Sequence, residues 1–252
     1  MPDPPAITLS IVSHRQADLI QALLQDIEQG CSGEGLQVVL TLNLPETLPF
    51  SPKSFAFPLQ ILSNRAPLGF GANHNRAFTW AKGDFYCVLN PDLRFSGNPF
   101  AALCARLSAH PDWGVIAPLV KDQNQRIADN ARFFPTPVRI LKRLLNPEKK
   151  PDYPIASQPI QVDWLAGLFL LFPSRVFATI NGFDERYYLY YEDVDLCARL
   201  HLSGYGVFLD PAVAVGHLAR RHSHRKLNYL GWHVSSMVRF FNSKVAIALK
   251  QR

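Results

Sequence analysis

The sequence predicts an α/β protein: a mostly parallel central sheet flanked by helices, Rossmann-like in its layering and built as a single domain. Three observations predict it. Short apolar runs rich in β-branched residues alternate with helical patterns over residues 6–13, 17–29, 36–42 and 59–63. Strand, helix, strand at that spacing argues for parallel strands joined by right-handed crossovers. Proline stands at the end of a run in Asn90-Pro91-Asp92, and proline cannot occupy a central strand. The 252 residues, 48% of them apolar, suffice for one sizeable core.

The elements follow in order. Residues 6–13 (Ala-Ile-Thr-Leu-Ser-Ile-Val-Ser) read as a buried first strand, then His14 and a helix over 17–29. Residues 36–42 and 59–63 are the second and third strands, and the four prolines in 45–58 mark a loop. The stretch Asn64-Arg65-Ala66-Pro67-Leu68-Gly69-Phe70-Gly71-Ala72-Asn73-His74-Asn75-Arg76 opens a helix that runs to about residue 82. Gly69 and Gly71 would let backbone come close to a ligand, and the helix start offers free N–H groups. A loop that merely turns is the plain alternative. Residues 84–89 form a fourth strand, which ends at Asn90-Pro91-Asp92. In an open α/β sheet ligands bind at that carboxyl edge. Asp92 there is a candidate metal ligand, or simply a turn former or helix cap.

A helix over 99–109 and a strand over 113–117 come next. From 120 to 159 the pattern breaks down, with frequent proline and basic residues and one amphipathic piece near 138–145. That segment reads either as a variable insertion facing a substrate or as a linker. Strands return at 161–164 and 167–172, with a short helix at 174–180. Two short strands are expected at 207–209 and 213–215, before Gly216-His217 and a basic, aromatic helix over 227–241. No internal repeat, low-complexity tract or zinc-type Cys/His spacing is visible.

The densest chemistry lies in residues 182–197. Five carboxylates (Asp184, Glu185, Glu192, Asp193, Asp195) fall within twelve residues, interleaved with Tyr187, Tyr188, Tyr190 and Tyr191. The last three acids open a helix ended by Gly204, where negative charge sits well against the helix dipole. Solvated helix starts carry one or two acids, usually beside lysine. Acids among tyrosines suit a water-poor cleft with a carboxylate that takes a proton.

The net charge of +6 is unevenly placed. Residues 217–252 hold eight Lys/Arg and no acid. Such a basic end fits an anionic partner, whether a phosphorylated ligand, a membrane surface or nucleic acid, or a merely solvated helix. No nucleic-acid reader motif accompanies it, so nucleic acid is not expected as a partner. Within the last helix Leu227, Leu230, Val234, Val238 and Phe241 recur at helical spacing. This stripe either packs on the core or rests on an anionic membrane. The scattered Cys31, Cys87, Cys104 and Cys197 read as free thiols of a reducing compartment. With no secretory signal, and with residues 164–173 too short to span a bilayer, a cytoplasmic protein is expected.

Four segments together resemble a known family. They are Ile11-Val12-Ser13-His14, Asn64 to Arg76, Leu89-Asn90-Pro91-Asp92, and Gly167 through Gly182-Phe183-Asp184-Glu185 and Tyr191-Glu192-Asp193-Val194-Asp195-Leu196-Cys197 to Gly216-His217. The chain resembles the GT-A, family 2 glycosyltransferases, and especially their rhamnosyltransferase-like branch acting on bacterial polysaccharides. The resemblance implies a nucleotide-diphosphate sugar donor, a divalent metal (Mg or Mn), and inverting transfer to a glycan or lipid-linked glycan. It implies Asp193 as general base, with Glu192 as the substitute in another register. Ser13, His14, Asn64, Gly71, Asn73, Asn90 and Asp92 fall where the family holds the nucleotide sugar. Asp92 and His217 match its metal and diphosphate positions, and Trp164, Asp184 and Glu185 its acceptor side. Trp164 as plain core is the alternative. Arg220, Arg221 and Arg225 are candidate phosphate clamps.

Two positions depart from the family pattern: Asn90 replaces the first acid of the metal motif, and His14 replaces an asparagine. They are the support for a second reading, a non-catalytic relative that only binds nucleotide sugar. A nucleotidyltransferase is disfavoured, because the loop after the first strand lacks a Gly- and Arg/Lys-rich run. By the same resemblance residues 1–216 form the transferase domain, with a nucleotide-sugar-binding half (1–118) and an acceptor and catalytic half (160–216). Residues 217–252 are a basic helical appendage.

Overall fold

The computed structural model describes residues 6–31, 35–145, 151–154, 157–218 and 227–251. Eleven strands and eight α-helices are assigned among them: β1 (Ile7–Ser13), α1 (Ala17–Gly30), β2 (Leu36–Leu42), β3 (Leu59–Ser63), α2 (Phe70–Phe78), β4 (Phe85–Leu89), β5 (Leu93–Arg94), α3 (Phe100–Ala109), β6 (Trp113–Lys121), β7 (Ala131–Arg132), α4 (Pro137–Leu145), β8 (Ile160–Gln161), β9 (Trp164–Leu165), β10 (Phe169–Pro173), α5 (Ser174–Thr179), α6 (Glu192–Leu202), β11 (Gly206–His217), α7 (Leu227–Phe241) and α8 (Lys244–Lys250). A short 3₁₀ turn, Pro52–Ser54, interrupts the proline-rich loop.

The main sheet runs β3-β2-β1-β4-β10-β6-β11-β5, with β8 paired to β11. Strands β1 to β4 are mutually parallel, as are β6 and β11, whereas β10 runs antiparallel to both β4 and β6. Side chains alternate across this sheet with the period of two that a strand imposes. Leu9, Ile11, Cys87, Leu89, Phe169 and Leu171 face the first core, filled by α1 and α3. Tyr86, Val88, Leu170 and Phe172 face the second, with α5 and α6. Each fully buried Leu, Ile or Phe contributes about 1.5–3 kcal/mol of burial, so two such layers fix the register of the sheet.

The expected layering holds, with differences in the details. Helix α2 stops at Phe78 rather than near residue 82. The next amides turn back to i−3 carbonyls, and those of Lys82 and Gly83 donate to Thr8 Oγ1, steering the chain into β4. Strand β6 continues past Ala117 to Lys121, through Pro118. Pro118 stands opposite Asp210, where β11 bulges between Asp210 and Ala214. A proline beside a bulge costs little ladder bonding. The two strands expected near 207–209 and 213–215 are this one bulged strand. Asp210 stabilises the bulge by accepting from the Ala212 amide at 3.0 Å. The segment after β6 is not a plain linker over its described residues, since β7 pairs with β9 and α4 follows. None of the four cysteines, all of them described, is joined in a disulfide.

The helix over 227–241 falls where expected, but its packing face differs. Tyr229, Trp232, Ser236, Met237 and Phe240 turn inward, while Leu230 (63% exposed), Val234 (44%) and Val238 (52%) face solvent. Three aromatic side chains and Ser236 have partners in the tyrosine loop and the aliphatic stripe has none, so the aromatic face wins the contact. The side chain of Leu227 lies outside the described set, as do Arg220, Arg221 and Arg225.

Candidate active site

The carboxyl ends of β1, β2, β3, β4, β6 and β11 share one edge of the sheet, and the antiparallel β10 begins there. Every residue that leaves the sheet at this edge can therefore meet the others.

On the β1–β3 side an asparagine cluster builds a loop. Asn64 Nδ2 donates to Asn43 Oδ1 at 2.7 Å and to Asn73 Oδ1 at 2.6 Å. Asn43 in turn holds both backbone groups of Leu68, at 2.9 and 2.8 Å. Its amide nitrogen lies 3.1 Å from His14 Nδ1. Asn73 is 1% exposed and donates to the carbonyls of Leu68 and Gly69. Asn64 and Asn73 thus shape the loop, while the exposed His14 remains on its outer side. Ser13, buried, accepts from the Gln16 amide. An open cleft of about 320 Å³ adjoins, between Arg15–Leu19 and Pro45–Thr47.

The two glycines of this loop have a different reason from the one expected. A Cβ on Gly71 would stand 2.5 Å from Phe183 Cβ, and one on Gly69 would stand 2.7 Å from the Tyr188 carbonyl. The close approach is made by the chain's own acidic loop. Phe70 N also donates to Tyr188 O, and Asn75 brackets Phe183 through both its backbone groups while donating to Glu185. The asparagine loop and the acidic loop are therefore one seam.

Within the acidic loop Tyr190 (φ 69°) and Tyr191 (φ 67°) both adopt the left-handed conformation. For non-glycine residues that conformation costs of order 1–3 kcal/mol each, and it concentrates at functional sites. Packing over-determines it here: Tyr188 meets Trp232, Tyr190 and Tyr191 meet His233, Tyr191 meets Phe240, and Ser236 donates to Leu189 O at 2.9 Å. The kink launches α6 with Glu192 and Asp193 in its first turn.

These two acids are unlike. Glu192 is 4% exposed and its Oε2 lacks a partner. Burial, then repulsion from Asp193, pushes its pKa well above the carboxylate range. Asp193 is partly exposed. Its Oδ2 accepts from the Gly167 amide at 3.1 Å and its Oδ1 from the Val194 amide at 2.9 Å. Burial raises its pKa too, while those amides and the charge of Arg132 pull it back. Asp195 is committed elsewhere: it pairs with Arg199 at 2.7 Å, and Arg199 clamps the carbonyls of Ile180 and Gly182.

The residues expected to hold a metal, Asp92 and His217, sit at the ends of β4 and β11. His217 Nε2 is 3.1 Å from Asp92 Oδ2, and Asp92 Oδ1 is buried without a partner. Among the described residues no group of three or more His, Cys, Asp and Glu stands together. One carboxylate and one imidazole nevertheless fit a hard cation that takes its remaining ligands from diphosphate and water. Asn90 is tied in by its backbone: its amide donates to Leu168 O at 2.8 Å, one residue from the Gly167 that holds Asp193. Asp193 and the Asn90-Pro91-Asp92 corner therefore meet across Gly167 and Leu168.

On the acceptor side Asp184 is paired with Arg186, whose hydrogen bonds hold its carboxyl below the usual range. Glu185 is exposed. Trp164 is 9% exposed, donates to Phe133 O and carries the Arg132 guanidinium over its ring, which is the core role that a strand tryptophan also allowed. Sequence reasoning missed Asn43, Asn75 and Arg132. Asn43 follows a strand end, which was a usable signal. Asn75 stood in the quoted loop but had no visible partner. Arg132 lies where the pattern had dissolved.

Solved structures match this architecture at low sequence identity. GalNAc-T7 with UDP, GalNAc and Mn²⁺ superposes with a TM-score of 0.71 at 14% identity, over 96% of this chain and 48% of that one. The mannosyltransferase PcManGT from Pyrobaculum calidifontis, with GDP-Man and Mn²⁺, gives 0.64 at 16% identity, over 94% of this chain and 65% of that one. The chain thus spans about half of the first protein and under two thirds of the second. No family model matches it. The fold is GT-A, and the curated relatives support a glycosyltransferase.

Curated relatives narrow the comparison further. Rhamnosyltransferase WbbL of Escherichia coli is 28% identical over 94% of this chain and 93% of its own length. The N-acetylglucosaminyl-diphospho-decaprenol L-rhamnosyltransferase of Mycobacterium tuberculosis is 27% identical, over 71% of this chain and 65% of its own. These similarities support a rhamnosyltransferase-like family 2 glycosyltransferase.

Proposed function

We propose that the protein is an inverting transferase that moves a sugar, rhamnose first among the candidates, onto a glycan or lipid-linked glycan, with Asp193 as general base. The observation that carries this reading is the setting of Asp193. It is a partly exposed carboxylate, held by the Gly167 amide at the sheet edge that also bears Asp92 and His217. The acceptor hydroxyl gives its proton to Asp193 as its oxygen attacks the anomeric carbon. The bond from that carbon to the diphosphate oxygen breaks, and its electron pair leaves with the nucleoside diphosphate. A positioned carboxylate supplies about 10²–10⁴-fold of such a reaction.

A divalent cation bound by Asp92 and His217 would neutralise charge on the departing diphosphate. His14 and the asparagine loop would seat the nucleoside, and Asp184 and Glu185 would border the acceptor. The rhamnose reading draws on the printed activities of the two curated relatives, and the lipid-linked acceptor on the mycobacterial one. Peripheral contact with the membrane is part of the same proposal. Leu230, Val234 and Val238 are exposed on α7, within a segment of eight cations and no acid.

The test is nucleoside diphosphate release from a panel of nucleotide sugars, with and without Mn²⁺ and acceptor. Asp193→Asn is expected to keep donor binding and to lose turnover by about 10²–10⁴-fold. Near-normal turnover in that variant removes Asp193 from the chemistry. Donor binding without release by the wild-type protein, across the whole panel, would favour the non-catalytic reading.

A further inference from the structure

We propose that Arg132 is a positioning residue of the reaction: its guanidinium, fixed between Asp129 and the Trp164 ring, keeps the Asp193 carboxylate ionised and ready to take the acceptor proton. This rests on the reading of Asp193 as base. The geometry begins with the two-stranded ladder of β7 and β9, in which Arg132 pairs with Trp164. The chain runs from Trp164 through Leu165 and Ala166 to Gly167, whose amide holds Asp193. Ala166 N donates to Asn130 O at 2.8 Å, so the turn leading to Gly167 is bonded to the segment that carries Arg132.

The guanidinium itself is fixed on three sides. Nε donates to Asp129 O at 3.1 Å, a terminal nitrogen meets Asp129 Oδ2 at 3.0 Å, and the carbon lies 5.4 Å from the Trp164 ring centre. Arg143 also pairs with Asp129 and approaches Asp152 at 3.8 Å. Two cations thus share two acids in this cluster. Among the described residues it carries no surplus positive charge for a phosphate, which disfavours an anion-binding role. Burial lowers the Arg132 pKa, and the charges of Asp193 and Asp152 oppose that shift.

Asp193 needs such a partner. Around it stand Glu192, which repels its charge, and the Tyr191 phenol and Cys197 thiol, each pushed up to about 12 and neutral. His233, against the Tyr191 ring, is lowered by burial. The Gly167 and Val194 amides favour the charged form, but they are dipoles. The charge of Arg132 favours the ionised form of Asp193. An opposite charge at close range typically lowers a carboxyl pKa by one to three units, roughly.

The experiment is a ¹³C-carboxyl NMR titration of the full chain, with Asp193 assigned by its loss in Asp193→Asn. In Arg132→Gln the Asp193 midpoint is expected to rise by about one pH unit, a tenfold loss of carboxylate below it. Arg132→Lys keeps the charge and restores most of the shift. Arg132→Met, which removes the charge and keeps an apolar stem against Trp164, is expected to raise the midpoint equally, so the proposal stays testable if Arg132→Gln fails to fold. Turnover should follow the same order: the acid limb of the pH profile moves up in Arg132→Gln and recovers at high pH. A midpoint that stays put in folded Arg132→Gln or Arg132→Met overturns the proposal. Failure of the wild-type protein to release nucleoside diphosphate would instead strike the reading of Asp193, and the titration would show which had failed.

Discussion

Adjacent carboxylates at the start of α6 divide their labour by a small difference in burial. Asp193 keeps a path to solvent and two backbone donors, whereas Glu192 is enclosed with one oxygen unpaired. The burial of Glu192 has a measurable consequence. Its folded pKa lies above the ordinary Glu value of 4.5, so ionisation favours the unfolded chain. Its contribution to stability is fully present below that value and is lost as pH rises through the raised one. Glu192→Gln should therefore melt higher than wild type at pH 8, by about 2–4 °C, the equivalent of roughly 1 kcal/mol in a chain of this size. The gain should vanish at pH 4, and thermal denaturation at the two pH values checks it. These acids were legible in the sequence because carboxylates among tyrosines are unusual. Arg132 was not, because its meaning comes from a two-residue strand pairing that no periodicity announces.

Among the elements, the loop before α2 and the loop before α6 behave as one unit. Gly71 shows why. In an ordinary helix an added methyl is neutral or helpful, but here it would enter Phe183. Gly71→Ala should destabilise by about 1–3 kcal/mol, in the range of overpacked cores, and a chemical denaturation curve with unchanged slope would confirm it. Unaltered stability would mean that Phe183 yields freely. Sequence reasoning located both loops and the longer strands, since strand alternation and turn residues are local signals. It missed the two-residue β5 and β7, and the one strand expected over 161–164 is the separate β8 and β9, which have different partners. It misjudged what depends on partners. Gly69 and Gly71 make room for the chain itself, Pro118 is tolerated because β11 bulges opposite it, and α7 packs by its aromatic face.

For the whole molecule, the reversed strand β10 decides where chemistry can occur. Because it begins where β4 ends, Gly167 and Leu168 arrive beside Asn90, and Asp193 joins the corner that bears Asp92. That meeting was expected from the sequence only through a family resemblance, since no local pattern reveals that a strand has been inverted. The tail adds a prediction at this scale. Among the described residues no helix is long and apolar enough to cross a membrane, so any membrane contact by them would be lateral. The protein should co-sediment with vesicles rich in phosphatidylglycerol at low salt and be released at about 0.5 M salt, where charges are screened beyond a few ångström. Replacing Leu230, Val234 and Val238 with serine should weaken that binding. Equal recovery in the supernatant with anionic and neutral vesicles would refute the contact.

The parallel run of β6 and the reversed run of β10 have one more implication. The excursion between them leaves and rejoins the sheet on the same border, carries β7, α4 and β9, and joins the sheet on the way where β8 pairs with β11. A length of chain with both feet on one side of a scaffold can be exchanged for another without rethreading the strands. Grafting the equivalent stretch from a relative of different acceptor taste is thus the natural way to ask whether recognition of the recipient glycan travels with that insert.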